Sequence, residues 1–178
     1  SIPYNNYIVN KTKEKYDMKL ELKNLKHAEF ASQETNCFEA KLYINGVFSA
    51  TLTNDGHGGS DYVYWEKNVP TTKKQVEDYL AKNVDTMSSR PEEWKDLAHP
   101  FCLEYWVADE VEILLASRRL KKAFKKKILF KKGKEVWEWK SNIPITPSLI
   151  EKWKEKNPQV TEILNTMEFE KALEVYRA

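Results

Sequence analysis

The sequence predicts an α+β fold: an N-terminal antiparallel sheet with hairpins, followed by helices, a second short hairpin and a C-terminal helix. Three observations carry this. Apolar and charged residues alternate from Met18 to Lys23, the period of a half-buried strand. Asn45-Gly46 separates two strand-like runs and supplies the two positive φ angles of a type I′ turn. Beyond Thr71 the apolar spacing changes to the i, i+3, i+4 pattern of helix faces.

In order, Met18, Leu20 and Leu22 share one face of the first strand. Cys37 to Ile44 and Val47 to Thr53 form the hairpin around Asn45-Gly46, and Tyr62 to Trp65 reads as a short aromatic strand. Thr71 or Thr72 caps a helix running to about Asn83, with Val76, Tyr79 and Leu80 inward, and a loop with Ser88, Ser89 and Pro91 follows. The longest helix is expected from Pro100 or Phe101 to about Lys126. It buries Tyr105, Val111, Leu114, Leu115 and Ala123, with acids early and bases late, the order that suits the helix dipole. Ile128 to Phe130 and Val136 to Trp139 flank the turn composition Lys-Lys-Gly-Lys as a second hairpin, placing Trp137 and Trp139 on one face. Thr146-Pro147 opens a short helix closed by Asn157-Pro158. Asn165-Thr-Met-Glu168 matches a capping box before a terminal helix bearing Phe169, Ala172, Leu173 and Tyr176.

A chain of 178 residues fits one α+β domain over 1–178, with residues 1–17 as an N-terminal extension. With 41% hydrophobic and 31% charged residues, the composition is globular. The net charge of +2 conceals 29 basic and 27 acidic residues, so electrostatic arguments must be local. Cys37 and Cys102 have no framework spacing, which points to a reducing compartment, the cytoplasm. The start at Ser1 lacks a signal pattern, and no apolar run reaches the roughly 18 residues of a membrane span.

Four groupings bear on chemistry. In Asn54-Asp55-Gly56-His57-Gly58-Gly59, three glycines in four positions allow consecutive amides to form an anion nest, with His57 beside a bound phosphate; an irregular hairpin end requires the same residue types. Asp55, His57 and Asp61 lack the further ligands that complete a metal site, so no metal is expected, and no cofactor motif is present. His27, Glu29, Glu34 and Cys37 lie within a dozen residues, but a thiolate needs an adjacent base, and Cys37 opens an apolar strand as core cysteines do; Cys102 beside His99 reads the same way. The basic tract holds Arg118, Arg119, Lys121, Lys122, Lys125, Lys126, Lys127, Lys131, Lys132 and Lys134 with no acid between 118 and 134. Followed by Trp137 and Trp139, it suits a phosphate backbone with stacked bases, or else a solvated helix end beside core tryptophans.

The stretch Leu22 to Phe38, the Asn45-Gly46 hairpin and Asn54-Asp-Gly-His-Gly-Gly resemble a family of small, functionally uncharacterised proteins of bacteriophages, prophages and bacteria. The likeness is strongest over residues 18–65, with a fainter echo from Arg118 to Phe130 and from Ile163 to Tyr176. It implies an accessory protein in the cytoplasm of a phage-bearing cell, aimed at a host system, and no named activity. Ser60 stands where many relatives carry cysteine, which counts against a thiol or metal role for the loop.

The functional expectation is a non-enzymatic protein that binds a nucleic acid or nucleotide. Asn54, Asp55, Gly56, His57, Gly58 and Gly59 would cradle phosphate and Arg118, Lys121, Lys122 and Lys125 would attract it. Two alternatives stay open. One is an inhibitor that occupies a host protein; the other is a nucleotide-directed hydrolase or transferase with His27, Glu34 and His57 as acid-base groups.

Overall fold

A computed structural model describes residues 18–82 and 102–178. It is mixed α+β, with a four-stranded antiparallel sheet, helices, a second hairpin and a C-terminal helix. The chain divides into two compact units, one ending at Val111 and the other beginning at Glu112. The expected N-terminal extension, the loop with Ser88, Ser89 and Pro91, and the helix start at Pro100 or Phe101 lie outside the described residues.

The first unit contains β1 (Leu20–His27), β2 (Phe38–Ile44), β3 (Val47–Asn54) and β4 (Tyr62–Trp65), paired in that order. Period-two alternation explains the buried face: Phe38, Ala40, Leu42 and Ile44 of β2 are buried while Glu39, Lys41 and Tyr43 are half-exposed. The β2–β3 turn has Asn45 at φ 51° and Gly46 at φ 82°, the type I′ signature. In β1, Asn24 takes φ 54° where the register slips between Lys23 and Lys26. This bulge lets Leu22 and Leu25, three apart, both be buried, and carries the strand to His27.

Two helices continue the chain, α1 (Lys73–Lys82) and α2 (Cys102–Phe124). At the start of α1, Thr72 accepts at Oγ1 from the Gln75 amide, and Val76 and Leu80 are buried. Along α2, Leu103, Val107 and Val111 recur every four residues in the first unit, and Leu115, Ala116 and Leu120 are buried in the second. Tyr105, Leu114 and Ala123, expected inside, are half-exposed because the buried stripe is set by Leu103 and its i+4 successors. The helix stops at Phe124, two residues early: Lys125 and Lys126 donate three residues back, to Lys122 and Ala123, in a turn that leads into a strand.

The second unit adds β5 (Lys127–Lys132), β6 (Glu135–Lys140), α3 (Pro147–Lys156) and α4 (Phe169–Arg177). Both faces of β5 are covered. Ile128 joins Ile150, Trp153, Val160 and Ile163, whereas Leu129 joins Leu120, Leu164 and Ala172. The outer edge of β5 is closed by a bridge from Phe130 to Ile163 and by Asn165, which accepts from the Leu129 amide and donates to the Lys127 carbonyl. At α3, Thr146 accepts from the Leu149 amide and Pro147 follows it, as expected. The capping box expected at Asn165 does not form: its side chain is spent on β5, and α4 begins at Phe169 after Glu168, with no side-chain cap. No described helix is long and apolar enough to cross a membrane.

Candidate functional site

The glycine loop leaves the end of β3 and is organised by Asn54, the buried last residue of that strand. Its Oδ1 accepts from Thr35 Oγ1 at 2.7 Å and from the Gly56 amide at 2.8 Å. Its Nδ2 donates to the Gly59 carbonyl and to Asp61 Oδ1, each at 2.9 Å. Four bonds use the full capacity of the amide group.

The loop amides bond within the protein. Gly56 donates to Asn54, His57 to Asp55 Oδ1 at 3.2 Å and Gly58 to Thr35 Oγ1 at 3.3 Å. They turn to three different acceptors, not to one point. The convergent amides belong instead to Gln33, Glu34 and Thr35, all of which donate to the Gly56 carbonyl, at 3.0, 2.9 and 3.3 Å. Two of the glycines are explained: a Cβ on Gly56 would collide with the Ala31 carbonyl, one on Gly58 would meet only the far end of the Glu34 side chain, and both residues have positive φ. Gly59 meets neither constraint.

Among the described residues, no hydrogen bond or ion pair joins any two of His27, Glu34 and His57. Half-buried His27 has Asn36 Oδ1 and Ser32 Oγ at 3.2 Å from Nε2. Ser32 donates its hydroxyl proton to the Ala28 carbonyl and accepts from the Cys37 amide. With the proton on Nε2, that one N–H is shared between the Asn36 and Ser32 oxygens. Exposed His57 lies 3.5 Å from Asp55. Cys37 is a half-buried free thiol, tied through its backbone to Ser32 and Ala28. No cluster of metal-ligating side chains occurs among the described residues. His99 and the Cys102 side chain lie outside the description.

Sequence reasoning missed a pair of carboxylates beside the loop. The Asp61 amide donates to Glu104 Oε1 at 2.7 Å, and both residues line a cleft of about 310 Å³ with Asn54, Phe38, Tyr105 and Val111. Burial raises the Asp61 carboxyl from 3.8 to about 6, and the Glu104 charge adds to the rise while the Asn54 bond opposes it. An adjoining cleft of about 250 Å³ reaches Glu77 and Lys73. Glu77 is raised as well, mainly by burial, and accepts from the Leu103 amide at 3.3 Å, satisfying a free donor in the first turn of α2. Near pH 6, then, the Asp61 carboxyl exchanges a proton beside Glu104. No local motif announced this, since the Asp61–Glu104 bond spans 43 positions.

Lys127 is bonded to Glu138 at 2.6 Å and Arg119 sits 3.7 Å from Glu112. Lys121 lies over Phe169 and Lys132 over Trp137, 5.0 and 4.5 Å from the ring centres. Lys122, Lys125 and Lys126 are exposed, as is Arg118, which keeps an interaction of its own within the protein. Trp137 and Trp139 share the β6 face opposite Phe130 and Ile128, and remain 46% and 37% accessible. Trp139 packs on Trp153 with ring centres 6.3 Å apart, and Trp137 is held by Lys132 over its ring and by the bond from its Nε1 to Glu135, so the tryptophans are neither core nor free, but surface rings with local contacts. The charge is sorted along the chain: residues 112–178 hold 16 Lys and Arg against 9 Asp and Glu, a net +7, and residues 1–111 hold 13 against 18, a net −5.

Comparison with protein-family models, with curated proteins and with solved structures finds no match.

Proposed function

We propose that the protein is a non-enzymatic nucleic-acid-binding accessory protein of phage or mobile-element type, and that the second unit grips a single strand. The observation that carries the reading is the exposed run Arg118, Lys121, Lys122 and Lys125 in the same unit as the supported, accessible rings of Trp137 and Trp139. Cations follow a phosphate backbone and aromatic faces stack bases without regard to sequence. The excess of +7 in residues 112–178 supports this, because counterion release rewards clustered cations, not net charge. The amides from Gly56 to Gly58 are engaged within the protein, so the phosphate contact in this reading falls to the lysines and the loop braces the sheet.

Fluorescence anisotropy with single-stranded and duplex oligonucleotides across a salt series tests it. If these four cations each neutralise a phosphate, the single strand should bind with a log–log salt slope of roughly −3. The variant W137A/W139A should lose the preference for single strands over duplex. Absent binding, or binding indifferent to salt, would refute the proposal.

A second reading rests on β4, the end strand of its sheet among the described residues, which carries Tyr62 and Tyr64 at 59% and 60% exposure. An edge of this kind suits strand addition to a host protein, the inhibitor alternative. Recovery of one stoichiometric partner after nuclease treatment, lost with Val63→Pro, would favour it.

A further inference from the structure

Two lysines of the basic tract, Lys125 and Lys126, share a cleft with Lys140. Among the described residues, the ammonium groups of Lys125, Lys126 and Lys140 have no ion pair, hydrogen bond or ring partner, yet all three line one cleft of about 550 Å³. Nor do they cap α2. The carbonyls of Lys122 and Ala123 accept from Lys125 and Lys126, and those of Lys125 and Lys126 accept from the amides of Ile145 and Ser141, at 3.1 and 2.8 Å. The Lys122 and Ala123 carbonyls at the helix end are therefore met by backbone amides and not by these ammonium groups.

The facing wall is preformed. The same two bonds pin the loop at Ser141 and Ile145, Ser141 Oγ accepts from the Ile143 amide at 3.1 Å, and Ile145 is packed on the cluster of Ile128 and Trp153. Between the pins, Ile143 stands 60% exposed next to Pro144 at the cleft. Three like charges on residues that line one cleft repel one another, and an entering anion relieves that repulsion. A phosphodiester brings a single charge, whereas a terminal phosphomonoester carries about −1.5 to −2 at neutral pH and three acceptor oxygens. Lysine binds such a group as a point charge, and a small apolar shelf suits the face of the attached nucleoside.

We propose that this cleft holds the terminal phosphomonoester of a nucleic-acid strand, with Lys125, Lys126 and Lys140 on the phosphate and Ile143 and Pro144 against the end nucleoside. The inference rests on the nucleic-acid reading above and adds to it a preference for strand ends.

Its test compares one internally labelled single strand in three forms: 5′-phosphorylated, 3′-phosphorylated and hydroxyl at both ends. One phosphorylated form should bind about three- to fivefold tighter than the hydroxyl form, the scale of a few partly exposed ion pairs. That ratio should fall to about one in K140Q and in K125Q/K126Q, as expected when the pairing charge is removed. Binding of the hydroxyl strand with no gain from either phosphate, or a gain that survives both variants, overturns the proposal. If no strand binds, the nucleic-acid reading falls, and the cleft is judged alone by titrating a nucleoside monophosphate into isotope-labelled protein. Saturable shifts of the Ser141, Asn142 and Ile143 amides that vanish in K140Q uphold a phosphomonoester site; unmoved amides overturn it.

Discussion

Gly58 and His57 are neighbours with opposite demands. Gly58 has φ +83°, a left-handed conformation that costs a side-chain-bearing residue about 1–2 kcal/mol, so Gly58→Ala should lower the urea midpoint accordingly. The Glu34 carboxylate that a new Cβ would meet is the far end of an exposed side chain, and therefore Glu34→Ala should rescue little of the loss. His57→Ala, at an exposed position, should stay within about 0.5 kcal/mol of the parent. Asp61 gives a pH signature. Its folded-state carboxyl titrates near 6 against an ordinary 3.8, so its contribution to stability is complete below 3.8 and is lost as the pH rises through about 6. Asp61→Asn keeps an acceptor for Asn54 and removes the ionisation. It should match the parent at pH 4 and gain about 1 kcal/mol over it by pH 7.5, after discounting for partial solvent exposure, in denaturation curves at the two pH values. The Asn-Asp-Gly composition was legible as a turn; the carboxylate pair was not, because Glu104 reaches Asp61 only through the fold.

Elements defined by their own neighbours were the readable ones. Asn45-Gly46 dictates its turn through two positive φ angles, and Thr146-Pro147 its helix start through one cap bond and one missing amide. Legibility failed where a distant segment claimed a local signal. Asn165 looks like a helix cap in sequence, but the outer edge of β5 leaves an amide at Leu129 and a carbonyl at Lys127 to be paired, and this side chain fits both. Burying those groups unpaired costs more than a missing helix cap, so β5 wins. Asn165→Ala should thus destabilise the protein by about 2 kcal/mol, beyond the usual loss of a cap, in urea denaturation. Asn24 is similar: Leu22-Lys-Asn-Leu breaks strict alternation, and only the bulge at φ 54° reconciles the two leucines with one buried face.

For the whole molecule, the telling quantity is where the charges lie along the chain. A net +2 suggests a nearly neutral protein, yet residues 1–111 sum to −5 and residues 112–178 to +7. The boundary of the two compact units falls at the same place, between Val111 and Glu112 within α2. That coincidence was available to counting but not to a reader lacking the division, since nothing in α2 marks a boundary. Sorted charge has a consequence at the bench. A chain of well-mixed charges near neutrality adheres weakly to any ion exchanger, whereas one whose signs are separated offers each resin something to hold. At pH 7 and low ionic strength, this protein should be retained on both a cation-exchange and an anion-exchange column. Lowering the pH toward 5, as Asp61 gains its proton, should release it from the anion exchanger first.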